Sequence, residues 1–187
     1  MAVTLNASTS NGLIQTADTS GNLNLQSNGT TKVALTSTGA AITGTNTNDS
    51  AAAGNVGEYI EGVLAAGSAT ALTTDTPKTL VSISLTAGDW DVTGMVGVQP
   101  NPAAVYSYAL ASVSPTTNTQ NTTSTNLVSH TQYPAGTLST TSTDPRIALP
   151  MVRVSLASTT TYYLICQAGF TVSSCLGYGR ISARRVR

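Results

Sequence analysis

Charge is what this sequence has least of. Only 9% of its 187 residues are Asp, Glu, Lys or Arg, against about 25% in an ordinary soluble domain. Ser, Thr, Asn and Gly fill the gap. The surface must therefore be wetted by hydroxyls and amides rather than by ions, as in many extracellular, fibrous and assembled β-proteins. Bulk is scarce too. One Phe and one Trp exclude a core built on large aromatics and leave the slim β-branched residues that favour strands. Long runs of helix formers are absent. No apolar run approaches the roughly 20 residues of a membrane span, so no membrane insertion is expected. The opening MAVTLNASTS has neither a basic segment nor an apolar core. That argues against a secretory signal and for a soluble protein made in a cytoplasm.

The residues that carry chemistry are just as sparse. With one His and two Cys nine residues apart (Cys166 and Cys175), no zinc-ligand spacing arises. There is no nucleophile elbow of the GxSxG kind and no phosphate loop. Asp89 and Asp91 flank Trp90, but they stand at i and i+2 on one strand face, whereas glycosidases place two acids across a cleft. An arginine-paired strand end is the plainer reading. No enzyme, no cofactor and no metal are expected. Reduced thiols are the default without a secretory signal, and Cys166 reads as core packing; a cross-strand disulfide with Cys175 is the alternative.

The formal net charge is zero, yet the signs are segregated. Arg146, Arg153, Arg180, Arg184, Arg185 and Arg187 all follow residue 145, and every acid precedes it. One reading is a basic patch for an anionic ligand. The other is that strands from the two regions pair and their charges meet. The second is favoured, because no aromatic interleaves the terminal arginines as nucleic-acid binders require. No nucleic-acid partner is expected.

What is present is a repeated figure. Leu13-Ile14 precedes 18–21, Leu23-Asn24-Leu25 precedes Ser27-Asn28-Gly29, Val33-Ala34-Leu35 precedes Ser37-Thr38-Gly39, and Ile42 precedes Thr43-Gly44. Two apolar residues at i and i+2 share one face of a short strand, and Asn28-Gly29 is a strong tight-turn signal. Such short strands bury too little to stand alone. Either copies of the chain wrap around one axis, or a partner covers them. A disordered low-complexity leader is the alternative. Residues 1–44 are thus read as a β-repeat stem and 45–57 as a linker.

Residues 58–187 read as one strand-rich domain. Residues 58–64 open it. Residues 79–98 predict a hairpin: Val81, Ile83 and Leu85 alternate with serines, Ala87-Gly88-Asp89 turns, and Trp90, Val92, Val96 and Val98 return. Trp90 reads as a core anchor, and Gly94 leaves room for a bulky neighbour. Residues 106–113 predict a strand, followed by the polar loop SPTTNTQNTTSTN. Loops between strands carry binding on β-scaffolds, so Tyr106, Tyr108, His130 and Tyr133 are the candidate ligand residues; half-buried strand tyrosines are the other reading. Ile147, Leu149 and Met151 alternate, and the pattern shifts beside Pro150 to Val152, Val154 and Leu156, as at a bulge or edge strand.

Residues 160–170 are apolar on both faces. Tyr162, Leu164, Cys166 and Phe170 lie on one face, Tyr163 and Ile165 on the other. A strand apolar on both sides is covered on both sides, so the outer face is expected to meet another subunit. The last strand, residues 178–186, sets Arg180 and Arg184 opposite Ile181. Tyr163, Ile165, Arg180 and Arg184 are therefore the candidate assembly residues. About seven or eight strands with Gly and Pro turns make the fold all-β, a stem followed by an antiparallel jelly-roll-like sandwich.

The stretch TSGNLNLQSNGTTKVALTSTGAAITG is similar to repeats in tailed-bacteriophage fibre proteins. AAAGNVGEYIEG, LTAGDWDVTGMVGV and TTYYLICQAGFTVSSCLGYGRISARRVR resemble a C-terminal domain of phage tail-fibre and virion proteins. The resemblance implies a homotrimeric virion fibre, made in the bacterial host. The stem would join other virion proteins and the distal domain would face a host-cell glycan or protein. A capsid head fibre or decoration protein without a receptor role is the alternative.

Overall fold

Asn28 and Gly29 take positive φ, 51° and 72°, the left-handed pair that a two-residue hairpin turn needs. In the computed structural model they join β1 (Leu23–Ser27) to β2 (Thr30–Thr36), and β3 (Gly39–Ile42) completes an antiparallel meander. The pairing sets Leu23 beside Leu35 and Ala40, and Leu25 beside Val33 and Ile42. The apolar positions of three strands therefore share one face, as period-2 spacing dictates. The structure describes residues 23–36, 39–42, 44, 47–122, 128–137 and 144–187, with residues 128–137 known by backbone pairing. The figure expected at residues 13–21 lies outside the described residues. The chain divides into two units, Met1–Asp49 and Ser50–Arg187.

Among the described residues of the second unit nine strands follow: β4 (Tyr59–Leu64), β5 (Thr70–Ala71), β6 (Lys78–Leu85), β7 (Gly88–Pro100), β8 (Val105–Ser114), β9 (Val128–Thr137), β10 (Arg146–Leu156), β11 (Thr160–Thr171) and β12 (Cys175–Arg185). One turn of 3-10 helix, Ala66–Ser68, sits between β4 and β5. One sheet runs β10-β7-β12-β4, with β5 also on β12; the other runs β6-β11-β8-β9. Every described pairing is antiparallel. From β6 to β12 every connection crosses between the sheets except the β8–β9 hairpin, and the last strand lies inside its sheet. Two interleaved Greek keys run this way, as in an eight-stranded jelly roll.

This topology corrects the hairpin expected over residues 79–98. The two strands form, but β6 and β7 lie in different sheets. Their apolar rows face each other across the core rather than lying side by side. The turn is a corner between sheets, held by Trp90 Nε1–H donating to Thr86 O at 2.9 Å. Residues 128–137, expected as loop, form edge strand β9. Threonine-rich polar sequence hid it, and Pro134 is tolerated because an edge strand leaves one row of amides unpaired. The shift beside Pro150 is real: the β10–β7 register slips between Leu149 and Val152.

Both sheets feed one core. Leu80, Ile83, Leu85, Leu164, Cys166 and Phe170 meet Trp90, Val92, Val96, Val98, Ile147 and Ile181. Trp90 is fully buried. Leu164 fits a notch where side chains are missing. A Cβ on Gly94 would stand 3.1 Å from its Cδ1, and one on Gly179 would stand 2.8 Å from its Cδ2. Cys166 and Cys175 are free and buried. Burial, with Cys175 nearby, pushes the Cys166 thiol up to about 12; burial pushes Cys175 to about 11. Neither supplies a thiolate at neutral pH.

Candidate functional site

Of the four candidate ligand residues, Tyr106 and Tyr108 do not share a face. Tyr106 and Tyr108 have the spacing to share a face, but the register slips between them on the β9 side and between Gly169 and Phe170 on the β11 side. A bulge of this kind turns one side chain over. Tyr106 enters the core, 1% exposed, which withdraws it from any ligand. Tyr108 stays on the outer face of β6-β11-β8-β9. His130 is paired with Leu110 on β9, and Tyr133 lies on the same strand. Both were expected on a loop, and their side chains lie outside the described residues.

Tyr108 organises a small polar cluster. Its ring occupies the space a Cβ on Gly169 would take. Its hydroxyl donates to Asp75 Oδ1 at 2.6 Å and accepts from Gln167 Nε2 at 3.2 Å. Gln167 Nε2 also reaches Asp75 O at 3.1 Å. Asp75 has a positive φ of 57°, and its amide donates to Ala168 O at 2.9 Å. Partial burial, then the Asp75 carboxylate, raise the Tyr108 pKa. Asp75 and Gln167 escaped the sequence reading; the turn composition TTDTP was the one available signal for Asp75.

The four candidate assembly residues fall on opposite faces of the sandwich. Tyr163 and Ile165 point outward from β11, as the alternation required. Yet Ile165 is fully buried within the single chain, and a segment of the chain explains it. Ile165 pairs with Thr79 on β6 and Ser112 on β8. The loop after β8 is tied to both. Asn118 Oδ1 accepts from Thr79 N and Asn118 N donates to Thr79 Oγ1, each at 2.8 Å. Ser112 Oγ donates to Gln120 Oε1 at 2.5 Å and accepts from Asn121 N at 3.2 Å. Residues 115–122 are thus a strap across the outer face. The burial of Ile165, expected to need a neighbour, is met by the chain itself.

Arg180 and Arg184 lie on the outer face of the other sheet, both exposed. Arg180 Nε pairs with Glu61 at 3.3 Å. Arg184 stands between Asp91 on β7 and Tyr59 on β4. The remaining arginines close the domain. Arg185 is buried: Nε meets Glu58 Oε2 at 2.9 Å, Nη1 donates to Ala87 O at 2.9 Å, Nη2 donates to Thr86 Oγ1, and the guanidinium lies 4.3 Å over Trp90. Burial alone would raise the Glu58 pKa, but the Gly54 amide and Arg185 outweigh it and the net direction is down. Asp89 receives Arg153 Nη2 at 2.8 Å and also Arg187. Arg153, Ser155 and Arg187 hold its carboxyl well below the usual range. The segregated charges therefore meet within the chain.

No family model matches this chain, and no curated protein does. Among solved structures, one of the infectious bursal disease virus Gx strain is similar over 68% of this chain and 30% of that chain, with 12% identity and a TM-score of 0.37.

Proposed function

We propose that the chain is a structural protein of a virion, a homotrimeric fibre of the tailed-bacteriophage kind. Its second unit is a jelly roll directed at the host surface, and its first is a stem that joins other virion proteins. The observation that carries this reading is the bare face of the meander. Leu23, Leu25, Leu35 and Ile42 lie on it, 36%, 47%, 43% and 80% exposed. A three-stranded sheet that leaves its apolar row in water is marginal by itself. Copies of the same chain around one axis would supply the missing cover, each for the next. The fibre-like repeat TSGNLNLQSNGTTKVALTSTG points the same way. A host glycan would meet the outer face that carries Tyr108, Asp75 and Gln167, where an aromatic ring stands beside acceptors and an amide.

Analytical ultracentrifugation of the full chain tests the assembly. Three times the 19.0 kDa chain mass is expected, and Leu25→Asp with Ile42→Asp should dissociate it. A wild-type monomer at micromolar concentration would refute the homotrimer. Antibody labelling of intact particles then decides between tail and capsid; label confined to the capsid would favour a head fibre or decoration protein.

A further inference from the structure

We infer that the outer face of the β10-β7-β12-β4 sheet is where a second copy of this chain packs against the domain. This rests on the homotrimer reading. The opposite sheet brings its own cover: the strap over Ile165, and the segment around Thr74 and Asp75 bonded to the end of β11. The β10-β7-β12-β4 face is bare. Val63 is 58% exposed on β4, Met151 is 66% exposed at the β10 bulge, and Tyr59 and Leu176 are exposed beside them.

The charges on this face select the occupant. The row Arg153–Asp91–Arg184–Tyr59 crosses all four strands, and the next rows bring Ser182–Glu61 and Met95–Arg180–Val63. In these rows three arginines and two carboxylates are interleaved, and a fourth arginine at the far end, Arg146, donates from Nε to the Tyr178 hydroxyl at 3.3 Å. A nucleic acid or an anionic membrane would call for one sign. A surface that interleaves both signs around apolar side chains suits a protein surface that also carries both signs, as a different patch of another copy does in a ring. Among the described residues the Arg184 side chain has no hydrogen bond or ion pair, although Asp91 faces it across the strands. Its guanidinium is available to a carboxylate from outside the chain. Arg153 is steered by Asp89 at the margin, which fixes one edge of the face.

The test uses the full chain. Val63→Glu with Arg184→Glu, both at exposed positions, should raise the dissociation constant of the assembly roughly tenfold or more, while circular dichroism stays that of the wild type. Tyr163→Glu, on the opposite face, should leave it within about twofold. A second measurement guards against misfolding. Cys166 and Cys175 are buried, so Val63→Cys gives one accessible thiol. Its maleimide labelling should slow on going from dilute, dissociated protein to the assembled form, and that of Tyr163→Cys should not. Unchanged assembly by Val63→Glu/Arg184→Glu, or concentration-independent labelling of Val63→Cys in a chain that is still trimeric, would overturn the inference and leave the homotrimer standing. A monomeric wild type would remove both.

Discussion

Arg185 shows how much a single side chain can hold in a sequence this poor in charge. Its planar fork spends donors on Glu58, Ala87 and Thr86 while its face lies on Trp90, so it joins the start of β4, the corner between β6 and β7, and the largest core residue. Arg185→Met would leave the Glu58 carboxylate buried without its partner. Breaking a buried pair from one side costs about 3 kcal/mol or more, and the loss should show as a lower urea midpoint. Arg185→Lys keeps the charge but gives up the fork and the stacking, so its midpoint should fall between wild type and Arg185→Met. The double change Glu58→Gln/Arg185→Met should cost less than the sum of its parts, because neither charge is then stranded.

At the scale of elements, the strap of residues 115–122 does for one sheet face what a neighbour would otherwise do. Its anchor is a reciprocal pair of bonds between Asn118 and Thr79, made possible by the positive φ of 49° at Asn118, a conformation asparagine tolerates. Asn118→Ala should cost about 1–2 kcal/mol and speed amide hydrogen exchange along β8 next to the loop. Unchanged exchange there would mean the strap is held by something else. The same elements show what could be read from the sequence and what could not. Period-2 alternation located β4, β6, β7, β8, β10, β11 and β12, and Asn28-Gly29 announced its turn. Alternation says which side chains share a face, not which sheet a strand joins, so the corner after Leu85 passed for a hairpin. Nor does it register every bulge, although it marked the one beside Pro150. The slip that sends Tyr106 inward and Tyr108 outward leaves no mark on spacing, and it separates those two candidate ligand residues. Ile165 misled for a related reason: a cover made of Thr, Asn and Gln looks like solvent-facing loop in the sequence.

For the whole molecule, zero net charge conceals a division that folding undoes. Acids from the first part of the chain meet arginines from the last at Glu58–Arg185, Glu61–Arg180 and Asp89 with Arg153 and Arg187. In the folded chain the carboxyl pKa values of Asp89 and Glu58 lie below their ordinary values of 3.8 and 4.5, so the folded state binds fewer protons than the unfolded one. The stability these two groups contribute is complete above those ordinary values and is lost as pH falls toward the lower folded values. Acid titration followed by circular dichroism should show weakening below about pH 5, and Asp89→Asn should flatten that dependence. Two of these long-range pairs, Glu58–Arg185 and Glu61–Arg180, are anchored on β12, and β12 lies between β7 and β4. A ribosome delivers it after every other strand of the domain. Until then β4 has no neighbour, Glu58 has no partner and Trp90 lacks the guanidinium that roofs it. The domain can therefore close only when synthesis has passed residue 187, and a prematurely terminated chain carries an open sheet for proteases to find.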